Sequence, residues 1–461
     1  MIKVELVANI VENKNKSKFS GMKKNLNKKN PLDKILIVAY SIVLNVFKRN
    51  ISTKESKTSK ALKYSSLSRS DKAKCNDLVQ KVLRFAVYLD PWINNKKKGR
   101  VRVELFCLLR LALIDILIRN VRQETVLKKY SDLANFFERT KHGKDQLRYF
   151  IHLGYSELEK RSLNPLFLFE NKIREVLSRH YSLATIKRVE KIFSKTPHID
   201  INIKRSALKE NYFKEIEGSS INSTHFRLSK NVSLIDINGY CSGDWWVQSL
   251  SASLPINIAP MDFKDKTVLD VCCAPGGKSF QLADQGAILT SIDKSEKRLK
   301  IMKENLDRLK YDFDLFCMDI FEYQPKKLFD IIFLDPPCTA TGTIGKNPDL
   351  QFLNPIDKLD ELSEIQEKML DRCSGWLADN GFIIYSVCSL LKEEGEQQIS
   401  RFLRNNEKFR AVHPKKIGHL DQDGFEIQKG KGIRIMPFFE ESIGGTEGFY
   451  IAYLQLKGKN Y

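Results

Sequence analysis

The chain has 461 residues, 42% of them hydrophobic and 29% charged, which suits about three folded domains of roughly 150 residues each and excludes a disordered polymer. Its net charge is +21, and residues 1–100 hold 24 Lys and Arg against 7 Asp and Glu, a surplus of 17, leaving 53 against 49 in the remainder. Basicity confined to one end reads as a polyanion footprint, because each phosphate neutralised releases condensed counterions.

Residues 1–30 form a Lys/Asn-rich leader with no arginine and no apolar signal core, expected to be a flexible basic tail. From Leu32 to about Tyr155 the apolar spacing is helical, as in Leu36, Ala39, Tyr40 and Val43 or Leu78, Val82, Leu83 and Val87. Arg100 to Arg119 is expected to be the longest helix of this region and the buried centre of a bundle spanning 31–166. Its apolar run, Leu105 to Ile118, is interrupted by Arg110 and Asp115, so no membrane segment is expected. Residues 167–235 read as a small α+β connector, with a helix over Leu183 to Ser194, a break at Thr196-Pro197 and a strand over Ile199 to Ile203.

Residues 236–461 alternate strands with helices to the end of the chain, the pattern of a doubly wound parallel α/β sheet. Strands are expected at Thr267 to Val271, Ile288 to Ile292, Phe313 to Cys317, Ile331 to Leu334 and Phe382 to Ser386. Helices are expected at Ser279 to Asp284, Glu296 to Leu309, Leu359 to Leu377 and Glu393 to Leu403. Function in such a sheet gathers at the carboxyl ends of the strands.

The first strand runs into Cys272-Cys273-Ala274-Pro275-Gly276-Gly277-Lys278-Ser279. A phosphate loop of the form Gly-x-x-x-x-Gly-Lys-Ser would need glycine where Cys272 stands, so that reading fails. The spacing is that of an S-adenosylmethionine loop. Gly276 and Gly277 let the backbone approach the methionine part, Lys278 meets its carboxylate, and Asp270 faces the sulfonium side. Asp293 closes the next strand, where an acidic side chain accepts from both ribose hydroxyls; its competing reading is a helix N-cap. Asp319, after the third strand, is placed to reach the adenine amine.

At the end of the fourth strand stands Asp335-Pro336-Pro337-Cys338, and at the end of the fifth Tyr385-Ser386-Val387-Cys388-Ser389. Amino-group methyltransferases place an aromatic ring after acidic-Pro-Pro; here the residue is cysteine. Carbon 5 of cytosine is a poor nucleophile, and enzymes activate it by adding a thiolate to carbon 6. Asp335 would hydrogen-bond the base edge and stabilise charge on the ring. One cysteine at a strand end is more often a small core residue, but two facing one cofactor reverse those odds. The nine cysteines include no Cys-x-x-Cys pair or zinc-like cluster, which fits a reducing cytoplasm and gives no metal site.

These motifs, with Gly342-Thr-Ile-Gly-Lys-Asn-Pro-Asp349 and Gly444-Gly-Thr-Glu-Gly-Phe-Tyr450, resemble the RsmB/NOP family of RNA 5-methylcytosine methyltransferases from Ile235 to the end. Residues 31–166 resemble a NusB-like RNA-binding domain, through a Ser70-Asp-Lys72 turn before a helix ending Val82-Leu-Arg84, the Leu109-Arg-Leu-Ala112 helix and the Tyr149 to Glu157 segment. The resemblance implies a Rossmann-like class I fold, S-adenosylmethionine as cofactor, Cys388 as nucleophile and Cys338 as the thiol assisting release. It implies RNA as partner, a cytosine of 16S ribosomal RNA as target, and a cytoplasmic monomer engaging no DNA or membrane. The sequence departs from the family at Pro336, Val387 and Cys273, at Gly345 where arginine is common, and at Ser249 where aspartate is usual. Three other readings stand beside it: 5-methylcytosine formation in another RNA such as tRNA, a DNA-type enzyme whose nucleophile is the Pro-Cys thiol, and a non-catalytic RNA binder. The intact Gly276-Gly277-Lys278, Asp335, Cys338 and Cys388 argue against the last.

Overall fold

The computed structural model describes residues 33–59, 64–97, 99, 101–137, 141–159, 166–208, 216–229, 233–415 and 423–458; the basic leader expected at 1–30 lies outside them. The chain divides into two compact units, Met1–Val82 with Leu89–Asn164, and Leu83–Tyr88 with Pro165–Tyr461.

The first unit is all-helical in its described residues: α1 (Lys34–Arg49), α2 (Thr53–Thr58), α3 (Arg69–Lys96), α4 (Val103–Leu117), α5 (Gln123–Phe137) and α6 (Lys141–Leu153). Helix α4 packs against α1, α5 and α6 and buries Leu105, Leu108, Leu111, Ala112 and Ile116, as a central helix should. The two charges that interrupt its apolar run are paired rather than exposed. Arg110 donates two bonds to Asp90, at 2.8 and 2.6 Å, and Asp115 accepts from Tyr130 and Arg119 at 3.0 and 2.7 Å. The longest helix is not α4, with 15 residues, but α3, with 28. The expected Ser70-Asp-Lys72 turn is the first turn of α3, because Ser68 caps the helix by accepting from the Asp71 amide at 3.1 Å, and the helix runs on past Arg84.

The second unit begins with α7 (Asn171–Ser178) and α8 (Leu183–Ser194), the latter capped by Ser182. Four short strands follow: β1 (Asp200–Ile203), β2 (Gly218–Ser220), β3 (His225–Leu228) and β4 (Trp245–Val247), hydrogen-bonded in the order β2-β3-β1-β4. Asp200 and Arg227 cross β1 and β3 as a buried bidentate pair at 2.7 and 3.0 Å, and Arg227 also donates to the Ile443 and Gly445 carbonyls. This stitches the small sheet to the chain's last loop.

The large sheet contains β5 (Thr267–Val271), β6 (Ile288–Asp293), β7 (Asp314–Cys317), β8 (Phe329–Leu334), β9 (Leu377–Val387), β10 (Phe409–Val412), β11 (Phe425–Gln428), β12 (Gly432–Ile435) and β13 (Phe449–Leu456). Its order is β11-β12-β13-β9-β8-β5-β6-β7, with β10 also on β13. The helices are α9 (Leu250–Asn257), α10 (Gly277–Asp284), α11 (Glu296–Leu309), α12 (Leu359–Ser374) and α13 (Glu396–Asn405). From β9 to β7 the pairing is parallel, with crossover helices, which makes this a Rossmann-like α/β sheet. Both faces are covered: Leu269, Ile332 and Ile383 look to one core, Val268, Ile331 and Ile384 to the other.

The parallel alternation does not continue to the end, as the sequence reading expected. Strands β10 to β13 pair antiparallel, β13 against β9 and β12. Only 429–431 separate β11 from β12, far too few residues for the crossover that parallel neighbours need. Helix α12 also stops at Ser374, and Leu377 opens β9 instead of closing the helix.

Candidate active site

The carboxyl ends of β5, β6, β8 and β9 open onto one cleft of about 380 Å³, within the range of small-molecule and cofactor sites. Cys272, Asp293, Asp319, Asp335, Cys338 and Cys388 all line it, together with Arg298 and Met318. Parallel β8 and β9 are neighbours, so residues just beyond each come side by side, and the Cys338 and Cys388 sulfurs stand 3.5 Å apart. The Cys338 pKa is raised well above that of an ordinary thiol, first by its hydrogen bond to Cys388 and then by burial. Either sulfur can donate across this contact.

Asp335 accepts from Lys278 Nζ at 2.7 Å, with the lysine side chain 13% exposed and the carboxylate 29%. Burial works against the lysine's charge, but Asp335 outweighs it and the pKa ends above the ordinary value. In this structure Lys278 thus belongs to the Asp-Pro-Pro-Cys loop as much as to the turn after β5.

The β5 turn is built for close approach. Cys272 has a left-handed backbone, φ 62°, and Gly276 has φ 106°. A Cβ at Gly276 would lie 2.6 Å from Phe280 and 2.9 Å from Met302, whereas one at Gly277 would meet nothing nearer than 3.7 Å. Gly276→Ala is therefore expected to cost about 1–3 kcal/mol of stability, read as a lowered Tm in thermal denaturation. Cys273 points away from the cleft into a core of Trp246, Phe280, Leu299 and Met302, with its sulfur 3.7 Å from that of Met302. Ala274 is buried, and its amide donates to Asp293 Oδ2 at 3.1 Å. Pro275 joins it to Gly276.

Asp293 also accepts from the Ser295 amide at 2.8 Å and pairs with Arg298 at 3.3 Å. The cap of α11 is Ser295, which accepts from the Arg298 amide. Asp319 lies at the cleft's edge, accepting from the Phe321 amide at 3.0 Å and 3.8 Å from Lys294. Asp270 sits behind the turn: it is 1% exposed, one oxygen accepts from Ser279, and it is not among the residues lining the cleft.

Burial pushes the Asp270 carboxyl up to about 7, although the Ser279 hydroxyl and Lys278 oppose the shift. An acid whose folded pKa lies above its unfolded value of about 3.9 stabilises the fold below that pH and loses the benefit as pH rises toward 7. Between pH 4 and 7 the wild type should therefore lose up to ~4 kcal/mol relative to Asp270→Asn; parallel denaturant titrations across this window check it.

The residues present fit S-adenosylmethionine. Among the described residues no side chain caps α10, so its first amides are free for a carboxylate. Asp293 and Asp319 offer acceptors along the cleft, and a Cβ at Gly277 would make only ordinary van der Waals contact, nearest Gln248 at 3.7 Å. Sequence reasoning missed Arg298, Lys294, Met318 and Met369 in the lining; none carries a motif, and only the fold brings them to the strand ends. Two departures from the family pattern also have local reasons. A Cβ at Gly345 would lie 2.5 Å from the Phe193 ring, which fills the space an arginine would take. Ser249 donates to Glu447 at 2.6 Å, a bond no aspartate could supply at that position.

Residues 257–455 match the family model described as 16S rRNA methyltransferase RsmB/F. Ribosomal RNA small subunit methyltransferase B of Shewanella oneidensis is 39% identical over 144 residues, covering 30% of this chain and 34% of that protein. The protein of the same name from Pasteurella multocida is 31% identical over 246 residues, covering 51% and 52%. The match thus spans about a third to a half of these relatives' own length. Among solved structures, PH0851 superposes with a TM-score of 0.69 at 20% identity, over 93% of this chain and 99% of that one. NSun6 from Pyrococcus horikoshii, solved with SFG, gives 0.53 at 17% identity, over 62% and 98%. At such identities these two likenesses concern the fold. Every residue lining the cleft falls inside the span that matches the 16S rRNA methyltransferase RsmB/F family model.

Proposed function

We propose that the chain methylates carbon 5 of a cytosine in 16S ribosomal RNA, using S-adenosylmethionine and a transient cysteine–cytosine bond. The observation that carries this is the pair of thiols 3.5 Å apart beside the Lys278–Asp335 pair, at the carboxyl ends of adjacent parallel strands. One thiol suffices for addition to a base, and a second at this distance is suited to the release that must follow.

The target cytosine leaves its stack to reach the cleft. Cys388, as thiolate, adds to carbon 6, which makes carbon 5 electron-rich. Asp335 holds the base edge, and Lys278 keeps that carboxylate oriented. Bound S-adenosylmethionine supplies the electrophilic methyl group, with Asp293, Asp319, Gly276 and Gly277 as the residues that would hold it. Carbon 5 then gives its proton to water, the electron pair of that carbon–hydrogen bond re-forms the ring double bond, and the carbon–sulfur bond breaks with its electron pair returning to Cys388. Cys338 assists this last step.

The surplus of 17 positive charges in residues 1–100 supports RNA contact by the amino-terminal part of the chain. Supply of labelled S-adenosylmethionine with unmodified 16S rRNA, tRNA and duplex DNA tests the reading. Label as 5-methylcytosine at one 16S cytosine is expected; label in tRNA or DNA alone would move the substrate, and label in none would leave a binding protein.

A further inference from the structure

Behind the two thiols lies a buried polar frame that the proposed chemistry does not use, centred on Glu394. This carboxylate has no exposed surface, and a buried charge is retained only where several donors hold it. Oε1 accepts from the Thr339 amide at 2.8 Å and from Gln366 Nε2 at 3.1 Å, and Oε2 accepts from the Thr339 hydroxyl. Gln366 Nε2 also donates to the Pro337 carbonyl at 3.0 Å. Both neighbours of Cys338 in the chain, Pro337 and Thr339, are thus fixed to one centre.

The same frame reaches the other thiol. The Thr339 hydroxyl is 3.2 Å from that of Ser389, the residue after Cys388, and Ser389 is 3.1 Å from the Thr341 hydroxyl. Thr341 in turn accepts from the Leu390 amide at 2.9 Å. Tyr385, at the end of β9, donates to the Glu394 carbonyl at 2.8 Å. The loop after β8 and the loop after β9 are therefore locked together through hydrogen bonds that never enter the cleft.

We infer that Glu394 is a positioning residue for Cys338: by gripping Thr339 and, through Gln366, Pro337, it holds the release thiol against Cys388. The inference rests on the proposed activity. Because the frame touches Cys338 on both sides but reaches Cys388 only through its neighbour Ser389, its loss should impair release more than attack. Misplacing a reacting group by about 1 Å can cost on the order of a hundredfold in rate.

The test compares Glu394→Ala, Glu394→Gln, Thr339→Val and Cys338→Ala in the full chain with unmodified 16S rRNA and S-adenosylmethionine. The readouts are steady-state turnover, KM for RNA, and the enzyme–RNA band that survives denaturing electrophoresis. Glu394→Ala is expected to accumulate that band as Cys338→Ala does, with kcat down on the order of a hundredfold and KM unchanged. Glu394→Gln, which keeps an oxygen for the Thr339 amide, should restore most of the turnover. General damage to the fold would instead lower the band and turnover together, and that result would overturn the inference, as would wild-type turnover of Glu394→Ala. If Glu394→Ala does not fold, Thr339→Val decides: a trapped band supports the inference and normal release overturns it. If Cys338→Ala itself traps nothing, the proposed activity fails first and the inference falls with it.

Discussion

Cys388→Ala is expected to abolish methyl transfer to RNA, by at least ~10⁴-fold in kcat/KM, while leaving RNA affinity and stability close to wild type. The size of the effect follows from the chemistry: without a sulfur on carbon 6, carbon 5 has no electron density to give, and no nearby group substitutes at the same geometry. Cys338 is 3.5 Å away, but its burial, which persists when the bond to Cys388 is lost, favours the protonated thiol. Cys388 is half-buried and packs at the margin of the core, so replacing it removes little packing. Single-turnover methylation beside a filter-binding titration separates the two effects; turnover retained by Cys388→Ala would sink the assignment of nucleophile.

The second large effect is expected at Asp335. Replacing it by alanine removes the group proposed to hold the base and leaves the Lys278 ammonium, 13% exposed, without its partner. Loss of one group that stabilises developing charge costs about 10²–10³ in rate, and an unpartnered buried charge costs roughly 3 kcal/mol. A double variant, Asp335→Leu with Lys278→Met, removes both charges and should regain much of the stability but none of the activity. The single and double variants, followed by urea denaturation and by methyl transfer, distinguish a chemical role from a structural one. Recovery of activity in the double variant would mean that Asp335 serves only to neutralise Lys278.

The parallel half of the large sheet was readable because each strand is a short apolar run ending in a turn with a carboxylate or thiol, and the period changes to helical between them. Thr267–Val271 and Glu296–Leu309 fall where the pattern puts them. The antiparallel end was not readable from periodicity. Phe449–Leu454 is apolar at every position and buried on both faces, so no alternation in its own residues tells its direction. The helical bundle was readable in kind but not in bounds, since Ser68, not Ser70, is the residue whose hydroxyl finds the free amides.

In the site, Asp293, Asp335, Cys338 and Cys388 could be found from motif position alone, because strand ends in such a sheet converge. Asp270 and Cys273 could not be told from cleft residues, for they occupy the same loop; only the side chains' directions, toward Ser279 and toward Met302, separate them. Glu394 left no signal either. It lies beside Glu393 in a run of charges that reads as a solvated helix start, and its burial depends on Thr339 and Gln366 from two distant segments.

The most direct test of the account is denaturing electrophoresis of Cys338→Ala after incubation with S-adenosylmethionine and unmodified 16S rRNA, beside Cys338→Ala/Cys388→Ala. A denaturation-resistant, RNA-dependent band from the single variant that disappears in the double is the predicted result. A band that persists in the double variant, or that forms from Cys388→Ala instead, would contradict attack by Cys388 and release by Cys338.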